Sequence, residues 1–588
     1  MRVLLVASAF NSLTQRVHAE LRDRRHTVDV HLAGDDDALR EAVRGFGPEL
    51  VIAPMLRTAL PRDVWSSLTC LIVHPGPPGD RGPSSVDWAI HEGAAAWGVT
   101  VLQADEVMDA GPVWASADCP VPPVGKSDLY RNEVSDAAVR AVLEAVERFA
   151  SGGYAPRPQG DPGGRVPDGT RPYLRQEVRR IDWAADCTDA VLRKLRAADS
   201  RPGVLDELLG AEWYLHGGHP EPVLRGRPGA LLATRAGAVC RATADGAVWI
   251  PELRRRRLPG GPPTVKLPAV TALGAELPDV PERAAPLMPA EGDPLWSDIR
   301  YREDGPVGRL LFSFPGGAMS TDHCRRLLDA YRFARTRPTS VLVLGGGRDF
   351  FSNGIHLNVI EAAPDPAAES WANINAMDDL VAEILTGTDR LVVAALGGNA
   401  AAGGVMLALA ADEVWCRQGV VLNPHYRLMG LYGSEYWTYT LPRRVGAAEA
   451  GRLTGRALPV SATAAGRSGL ADRVLPCTPE GFGPEVLRLA GLLAASPAVQ
   501  GRIAAKKAAR EADEQVKPLA EYRREELAVM RRQFFTPDAP YHALRGAFVH
   551  KLPAPSPPAG WSERPPGLAL LSGAPSALRT GGSAEALL

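Results

Sequence analysis

The sequence predicts an α/β protein with a doubly wound sheet near its start, a second α/β unit further on, and a small β-barrel-like unit between them. Two stretches, residues 1–160 and 296–486, alternate apolar strand-like runs with helical runs, which is typical of parallel sheets covered by helices. Short β-like runs separated by turn residues lie between the two stretches. A chain of 588 residues is also too long for a single hydrophobic core, so several domains are expected.

The first predicted unit covers residues 1–160. Its apolar strands read VLLVA, ELVIAPM, CLIVHPG and GVTVLQA, and the helical runs between them favour a doubly wound parallel sheet. The run SGGYAPRPQGDPGGRVPD follows. It marks a boundary because so much glycine and proline can sustain neither a helix nor a central strand.

The next two segments are a small domain and a linker. Residues 169–257 contain the short runs GALLATRAG, AVCRATADG and AVWIPEL, which predict a small β-barrel-like domain. Residues 258–295 are rich in proline and charge without any periodicity, and we expect them to be a linker.

The remaining chain predicts a second α/β unit with a helical extension. Residues 296–486 contain the strand-like runs RLLFSFP, SVLVLGGG, RLVVAAL and EVWCRQGVVLN. Residues 487–552 are predicted to be helical. Residues 553–588 are rich in Pro, Ala, Gly and Ser, which predicts a disordered tail.

Composition argues against several classes of partner. The formal net charge of −2 gives no global field that would attract nucleic acid. The seven cysteines are scattered without a CxxC spacing, so we expect no metal site, no disulfide framework and a cytoplasmic location. The start lacks a signal-peptide pattern. The longest uncharged stretch, residues 391–411, is interrupted by glycines and is interpreted as a buried strand, turn and helix rather than a membrane span.

The first candidate site contains a histidine and an aspartate. His74 follows the apolar strand CLIV, and Asp109 lies in the turn-forming MDAG beyond the strand VTVLQ. If both strands were parallel, the two side chains would meet at the carboxyl edge of the sheet, where ligands bind. Such a pair can polarise a carbonyl and move a proton. A histidine that follows a strand is by itself more often structural.

The residues around His74 and Asp109 resemble a known family. The pattern HP(x)nRGPSSxxWAIxxGxxxxGVTxxQxxxxMDAG is similar to the core of 10-formyltetrahydrofolate-dependent transferases, which include methionyl-tRNA formyltransferase, and IDW…RAADSRPG resembles their C-terminal domain. The resemblance implies that His74 and Asp109 are catalytic. It also implies a folate pocket whose residues are Asn11, Pro75, Gly76, Pro77, Pro78 and Arg81.

Two features of this first site leave alternatives open. The family usually has asparagine two residues before the histidine, whereas this chain has Ile72, which removes a side-chain donor from the oxyanion site. Either another donor compensates, or the acceptor of the formyl group is not an amine. The segment Ser8 to Arg16 is expected to form the other wall of the pocket, but Asn11 or Ser12 would serve equally well as a helix N-cap.

The second candidate site consists of two glycine-rich turns. FFSNGIHL and AAAGGVMLALAAD occur in the order and spacing of the crotonase, or enoyl-CoA hydratase, family. Two backbone N–H groups aimed at one thioester oxygen form an oxyanion hole, and glycine lets the chain approach that closely. The resemblance to crotonases places these donors at Ile355 and Gly403. The alternative is a pair of ordinary tight turns.

The side chains near these turns depart from the hydratase pattern. Where hydratases carry two glutamates, this chain has Met406 and His425, and methionine cannot exchange a proton. Addition of water to an enoyl group is therefore not expected. The motif NPHYRLMGLYGSEYWTY supplies other candidates: His425, Tyr426, Tyr432, Glu435 and Tyr436. Clustered tyrosines usually serve packing, but a carboxylate among them could be desolvated and act as a base.

The domain order and the last motif together resemble the HypX/HoxX family of hydrogenase maturation proteins. This resemblance implies formyl transfer from 10-formyltetrahydrofolate to coenzyme A, then breakdown of formyl-CoA to carbon monoxide and CoA without a metal. We assign Glu435 as the base and Tyr426 as the proton donor to sulfur, with His425 or Tyr436 as substitutes. NiFe hydrogenase maturation proteins are implied as partners. The alternative is a methionyl-tRNA-type or other formyltransferase fused to a non-catalytic, crotonase-like CoA-binding scaffold.

Overall fold

The computed structural model describes residues 1–159, 170–290, 292, 294–348 and 350–552. They divide into two units, one of Met1–Thr264 with Pro268–Pro281, the other of Val265–Leu267 with Glu282 and the described residues that follow. The first two predicted domains therefore belong to one unit. The predicted tail, 553–588, and the second half of the glycine- and proline-rich boundary, from residue 160 onward, lie outside the described residues.

The first sheet has six strands in the order β2-β1-β3-β4-β5-β6. The strands are β1 (Arg2–Ala7), β2 (Thr27–Leu32), β3 (Leu50–Met55), β4 (Cys70–His74), β5 (Ala96–Gln103) and β6 (Val113–Pro120). The first four are parallel, as the α/β pattern predicts. The prediction of a wholly parallel sheet is wrong, because β5 runs antiparallel to both β4 and β6. A short loop joins β5 to β6, and antiparallel neighbours need no crossover helix.

Helices cover this sheet and bury its apolar side chains. They are α1 (Ser12–Asp23), α2 (Asp36–Phe46), α3 (Arg62–Ser67), α4 (Ser85–His91), α5 (Lys126–Leu129) and α6 (Ser135–Ser151). The strand β1 is almost entirely buried, and α6 contributes valines and alanines to the same core. Strands that are buried on both faces are apolar throughout, which is why their sequences were recognisable.

The small domain consists of two four-stranded sheets, and its described residues form no closed barrel. The orders are β10-β11-β12-β9 and β14-β13-β8-β7. The strands are β7 (Val204–Leu208), β8 (Ala211–His216), β9 (His219–Glu221), β10 (Leu231–Arg235), β11 (Ala238–Ala242), β12 (Ala247–Ile250), β13 (Glu252–Arg255) and β14 (Leu267–Pro268). Its helices are α7 (Gln176–Arg179), α8 (Thr188–Ala197) and α9 (Ala269–Leu273).

The segment 258–295 is not simply a linker. It contains β14 and α9, and Ala269 and Leu273 are buried in the core of the small domain. The apolar run AVTAL explains this difference, because burying its side chains is favourable. A proline-rich neighbourhood concealed this short apolar run at the level of composition.

The second unit contains two sheets. The larger has the order β15-β16-β17-β19-β21-β24 and the smaller β18-β20-β22-β23. Their strands are β15 (Ile299–Asp304), β16 (Val307–Phe312), β17 (Val341–Gly346), β18 (Phe350–Ser352), β19 (Leu391–Leu396), β20 (Asn399–Ala401), β21 (Glu413–Arg417), β22 (Val421–Asn423), β23 (Val460–Ser461) and β24 (Arg473–Leu475). From β16 onward the larger sheet is parallel. The predicted second α/β unit is confirmed.

Helices of the second unit surround these sheets and continue to the last described residues. They are α10 (Thr321–Arg335), α11 (Leu357–Ala362), α12 (Pro366–Thr386), α13 (Gly403–Leu409), α14 (Trp437–Val445), α15 (Ala447–Arg456), α16 (Ala462–Ser468), α17 (Phe482–Ala495), α18 (Val499–Val516), α19 (Leu519–Phe535) and α20 (Pro540–His550). The uncharged stretch 391–411 contains β19, β20 and α13, and most of its side chains are buried. Among the described residues we find no helix with the length and apolar character to cross a membrane.

Candidate active sites

His74 is the centre of the first site. It is the last residue of β4 and is buried. Its Nε2 lies 2.8 Å from Oδ2 of Asp80, and its Nδ1 lies 3.6 Å from Oδ1 of Asp109. The structure therefore places the two predicted catalytic side chains next to each other and adds a second carboxylate. Asp80 was not predicted, although it lies in the loop HPGPPGDRG only six residues after His74.

Asp109 reaches His74 by a different route from the one that the sequence suggested. Strand β5 is antiparallel, and its end at Gln103 pairs with Leu71, so the two side chains do not share a carboxyl edge. Asp109 instead lies in the loop between β5 and β6, with a positive φ of 56°. Gln159 fixes this loop, because its Nε2–H donates to the Asp109 carbonyl at 2.7 Å. The mixed sheet thus replaces the expected parallel edge by a loop.

The loop after His74 requires glycine at position 76. A methyl group on Gly76 would lie 2.1 Å from Oδ2 of Asp80 and 2.6 Å from Nε2 of His74. The carbonyl of Gly76 accepts a hydrogen bond of 2.7 Å from the hydroxyl of Thr100 on β5. Glycine therefore lets the backbone pass directly beside the contact between His74 and Asp80.

The predicted folate residues are found in two places. Pro75, Gly76, Pro77 and Pro78 belong to this same loop, and the Arg81 carbonyl at its end accepts the Arg171 N–H at 2.9 Å. Asn11 acts as the N-cap of α1: its Oδ1 accepts the N–H of Thr14 at 3.0 Å. The capping role that the sequence left open is therefore shown, and folate binding by these six residues stays a prediction.

Ile72 occupies β4 two residues before His74 and is packed with apolar neighbours. Its side chain carries no polar atom, so it cannot supply the hydrogen-bond donor that the resemblance to formyl transferases led us to expect at this position.

Glu435 is the centre of the second site. Its side chain is buried, and its Oε2 accepts the hydroxyl of Tyr426 at 2.8 Å. A methyl group on Gly403 would lie 2.1 Å from Oε1 of Glu435. The carboxyl group therefore lies beside one predicted oxyanion donor and is hydrogen-bonded to the predicted proton donor.

The two glycine-rich turns meet at this carboxyl group. Gly354 has a φ of +78°, and a methyl group there would lie 3.1 Å from the backbone nitrogen of Gly403. Gly403 is the first residue of α13, so its N–H has no acceptor within that helix. Ile355 follows Gly354 and is bridged to Met319. This arrangement is compatible with an oxyanion hole formed by Ile355 and Gly403.

Burial changes the proton affinity of the Glu435 carboxyl. Its pKa is raised to about 8, mainly by desolvation and then by the negative charge of Asp378, while the hydrogen bond from Tyr426 acts in the opposite direction. The pKa of Tyr426 is raised well above its ordinary value, again mainly by burial. A carboxyl group with such a pKa can both accept and return a proton near neutral pH.

The turn that carries Glu435 is conformationally unusual. Glu435 and Tyr436 each have a φ of 58°, in the left-handed region that costs a residue with a side chain roughly 1–2 kcal/mol. The N–H of Glu435 donates to Oδ1 of Asp378 at 2.8 Å, and the N–H of Tyr436 donates to Oε2 of Glu526 at 2.9 Å. Strain of this kind persists where surrounding contacts hold it, typically at functional sites.

Sequence reasoning missed Asp378 and Glu526. Asp378 lies on α12 and Glu526 on α19, and both are fully buried. Burial raises the pKa of Asp378 to about 6 and that of Glu526 to about 7. A carboxylate in the apolar face of a helix can be recognised in the sequence, but only the tertiary contacts show which turn it binds.

The other predicted residues differ in position. Nδ1 of His425 lies 2.9 Å from the carbonyl oxygen of Asn423. Burial lowers the pKa of His425. Met406 is buried in the apolar core. Tyr432 is 39% exposed and packs edge-on against Trp437.

Among the described residues the Glu435 carboxyl is hydrogen-bonded to Tyr426 and to the N–H of Ser434 at 3.0 Å, and not to His425.

Family models match three parts of the chain. Residues 33–146 match formyl transferase, residues 173–259 match the C-terminal domain of formyl transferase, and residues 315–549 match enoyl-CoA hydratase/isomerase. Methionyl-tRNA formyltransferase of Geobacillus thermodenitrificans is 27% identical over 36% of this chain and 67% of its own length. These matches agree with the two candidate sites described above.

Two relatives extend over almost the whole chain. The hydrogenase maturation factor HoxX of Bradyrhizobium diazoefficiens is 51% identical over 94% of this chain and 95% of its own length. The crystal structure of HypX from Aquifex aeolicus in complex with tetrahydrofolic acid is 42% identical, covers 98% of this chain and 100% of its own, and superposes with a TM-score of 0.91. The chain therefore belongs to the HypX/HoxX family of hydrogenase maturation factors, with formyl transferase and enoyl-CoA hydratase-like domains.

Proposed function

We propose that this protein transfers a formyl group from 10-formyltetrahydrofolate to coenzyme A and then breaks formyl-CoA down to carbon monoxide and CoA. The observation that carries the proposal is the buried Glu435 carboxyl beside Gly403, with its pKa raised to about 8. Such a group suits abstraction of a proton from a thioester. The relative that was crystallised with tetrahydrofolic acid supports folate as the formyl carrier.

The first reaction takes place around His74. The sulfur of CoA attacks the formyl carbon, the bond from carbon to the folate nitrogen breaks, and the thiol proton ends on that nitrogen. His74 can carry this proton, and its imidazole is positioned between the carboxyl groups of Asp80 and Asp109. A thiolate is a stronger nucleophile than an amine, which fits an oxyanion site weakened by Ile72.

The second reaction takes place at Glu435. Its carboxylate removes the formyl proton, the electrons of the C–H bond remain on carbon as carbon monoxide forms, and the electrons of the C–S bond leave with sulfur. Tyr426 protonates the thiolate and regains a proton from Glu435 across their 2.8 Å hydrogen bond. The backbone N–H groups of Ile355 and Gly403 polarise the formyl oxygen.

The direct test is to incubate the purified full-length protein with 10-formyltetrahydrofolate and CoA and to measure carbon monoxide. We expect one carbon monoxide for each tetrahydrofolate formed. Formyl-CoA as the final product, without carbon monoxide, would contradict the second reaction. Formylation of methionyl-tRNA in place of CoA would favour the alternative of a tRNA formyltransferase joined to a non-catalytic scaffold. We expect the carbon monoxide to be used by NiFe hydrogenase maturation proteins.

The second reaction should depend on pH in a defined direction. Glu435 must be deprotonated to remove the formyl proton, and its pKa is raised to about 8. The rate of carbon monoxide release from supplied formyl-CoA is therefore expected to rise as pH increases through about 8. Release of carbon monoxide can be followed by stopped-flow with haemoglobin between pH 6 and 9. This assay measures the acid limb of the pH–rate profile, that is, the range in which the rate rises with pH. A rate independent of pH over that range would be inconsistent with Glu435 as the base.

Substitution of Asp80 should slow the first reaction. Asp80→Asn keeps the size of the side chain but removes the carboxylate that contacts Nε2 of His74, so the imidazole loses its orienting charge. We expect formyl-CoA formation to fall by roughly 10²-fold. The matched control is Asp105→Asn, an exposed aspartate in the loop that also carries Asp109. Equal rates for the two variants would show that Asp80 has no role in the transfer.

A further inference from the structure

We propose that Asp378 and Glu526 are positioning residues that hold the Glu435 carboxyl toward Gly403 and set the pH range in which it acts. The inference rests on the proposed function, in which Glu435 is the base. Neither residue is part of the sequence motif around Glu435, and the structure brings them to it from α12 and α19.

Asp378 binds the turn from one side. Its Oδ1 accepts the N–H of Glu435 at 2.8 Å, and its two oxygens lie 3.0 and 2.8 Å from the hydroxyl of Ser434. The preceding residue, Met377, has its terminal methyl 3.2 Å from a methyl group built on Gly403. One turn of α12 therefore contacts both the backbone of Glu435 and the surroundings of the oxyanion donor. These contacts fix the distance between the Glu435 carboxyl, which is the proposed base, and the N–H of Gly403, which is the proposed oxyanion donor.

Glu526 binds the turn from the other side. Its Oε2 accepts the N–H of Tyr436 at 2.9 Å, and its Oε1 accepts the N–H of Thr438 at 2.8 Å. These donors belong to the first turn of α14 and the residue before it, where backbone N–H groups lack partners within the helix. Because α19 lies in the C-terminal part of the chain, that helical extension is a component of the site.

The two carboxylates together stabilise the left-handed pair Glu435 and Tyr436. Each of the two strained residues donates its N–H to a different buried carboxyl group. Loss of either acceptor would leave a buried N–H without a partner and free the turn to relax toward ordinary φ values. The Glu435 side chain would then move away from Gly403.

The charges around Glu435 are unbalanced. The titratable and charged groups that face it or its two carboxylate neighbours come from four segments: Cys324 of α10, Asp378 and Asp379 of α12, Tyr426, Tyr432 and Tyr436 of the segment 426–436, and Arg523 and Glu526 of α19. Arg523 approaches Asp378 at 3.7 Å but pairs more closely with the exposed Asp379, at 2.6 Å. Among the described residues Glu435 and Glu526 form no ion pair. Repulsion between neighbouring carboxylates thus favours a protonated Glu435.

The variant Asp378→Asn tests the negative charge of Asp378 separately from the hydrogen bond that Asp378 accepts from Glu435. Asparagine keeps an oxygen that can accept the N–H of Glu435 but removes the negative charge, so Glu435 should lose its proton more easily. We expect the acid limb of carbon monoxide release from supplied formyl-CoA to move to lower pH by about one pH unit. Glu525→Gln removes a charge from an exposed position on α19, where Glu525 pairs with Lys517, and should leave the limb unchanged.

The variant Asp378→Ala removes the acceptor as well. We expect its maximal rate of carbon monoxide release to fall about 10²-fold, and Asn at the same position to restore most of it. Because Asp378 and Glu526 belong to the second unit, the thermal unfolding of that unit, compared with the wild type, reports whether each variant is folded. Glu526→Gln, which also keeps an acceptor and loses a charge, should shift the acid limb in the same direction and replaces Asp378→Asn as the test if that variant does not fold.

The outcomes separate this inference from the proposed function. If Glu435→Gln is inactive while Asp378→Asn and Glu526→Gln keep the wild-type pH profile, the positioning role is wrong and the base assignment stands. If Glu435→Gln releases carbon monoxide normally, the proposed function of Glu435 is itself wrong. A downward shift of the limb in both variants, absent in Glu525→Gln, supports the inference.

Discussion

Replacement of Glu435 by glutamine is expected to stop carbon monoxide release while formyl-CoA accumulates. Glutamine keeps the shape and hydrogen-bonding reach of the side chain but cannot take the formyl proton. Loss of a general base typically reduces a rate by about 10²- to 10⁴-fold. The measurement follows formyl-CoA by mass spectrometry and carbon monoxide by its haemoglobin adduct, starting from 10-formyltetrahydrofolate and CoA.

Accumulation of formyl-CoA shows that the first unit still acts, and thermal unfolding like that of the wild type shows that the second unit, which contains Glu435, is folded. Glu525→Gln is the matched control: it carries the same chemical change on α19, where Glu525 is largely exposed and paired with Lys517. The control should release carbon monoxide like the wild type. Normal release by Glu435→Gln would transfer the role of base to His425 or Tyr436.

Replacement of His74 by alanine is expected to abolish formyl transfer without impairing the second reaction. The imidazole lies between Asp80 and Asp109, and no other residue of the chain is assigned to carry the thiol proton. We expect formyl-CoA synthesis to fall by about 10²- to 10⁴-fold. Carbon monoxide release from supplied formyl-CoA should remain, because Glu435 belongs to the other unit of the chain.

His26→Ala provides the control for this variant, since His26 precedes β2 and is remote in sequence from the loop after His74. It should retain formyl transfer. If His74→Ala made carbon monoxide from 10-formyltetrahydrofolate at the wild-type rate, the assignment of the first site to His74 would be wrong.

The α/β class and the main strands could be predicted because they depend on local patterns. Buried parallel strands such as β3 and β19 are continuous apolar runs, and apolar runs separated by helices are visible in the sequence. The glycine-rich turns were recognisable for a similar reason: close backbone approach, as between Gly354 and Gly403, demands glycine whatever surrounds it. The motifs that contain His74 and Asp109 were recognisable because each is a short, continuous run of sequence.

Strand direction and the outer contacts of the sites could not be predicted in this way. The sequence of β5 is compatible with either direction, and only the structure shows that it pairs antiparallel with both β4 and β6. Asp109 therefore meets His74 through a loop and not at a shared sheet edge. The short strands of the small domain are typical of a barrel. Whether such strands close into a barrel or form two separate sheets depends on the contacts between them.

The sequence by itself determined the α/β class, the family, and the candidates His74, Asp109, Glu435, Ile355 and Gly403, because each is carried by a local pattern or motif. Only the tertiary structure decided what surrounds them. Asp80, Asp378 and Glu526 hold His74 and the Glu435 turn through hydrogen bonds, and for Asp378 and Glu526 the partners are far apart in sequence. The proton affinity of Glu435 was also undetermined before folding, since it arises from burial and from the charge of Asp378, and both exist only once α12 and α19 have packed around the turn.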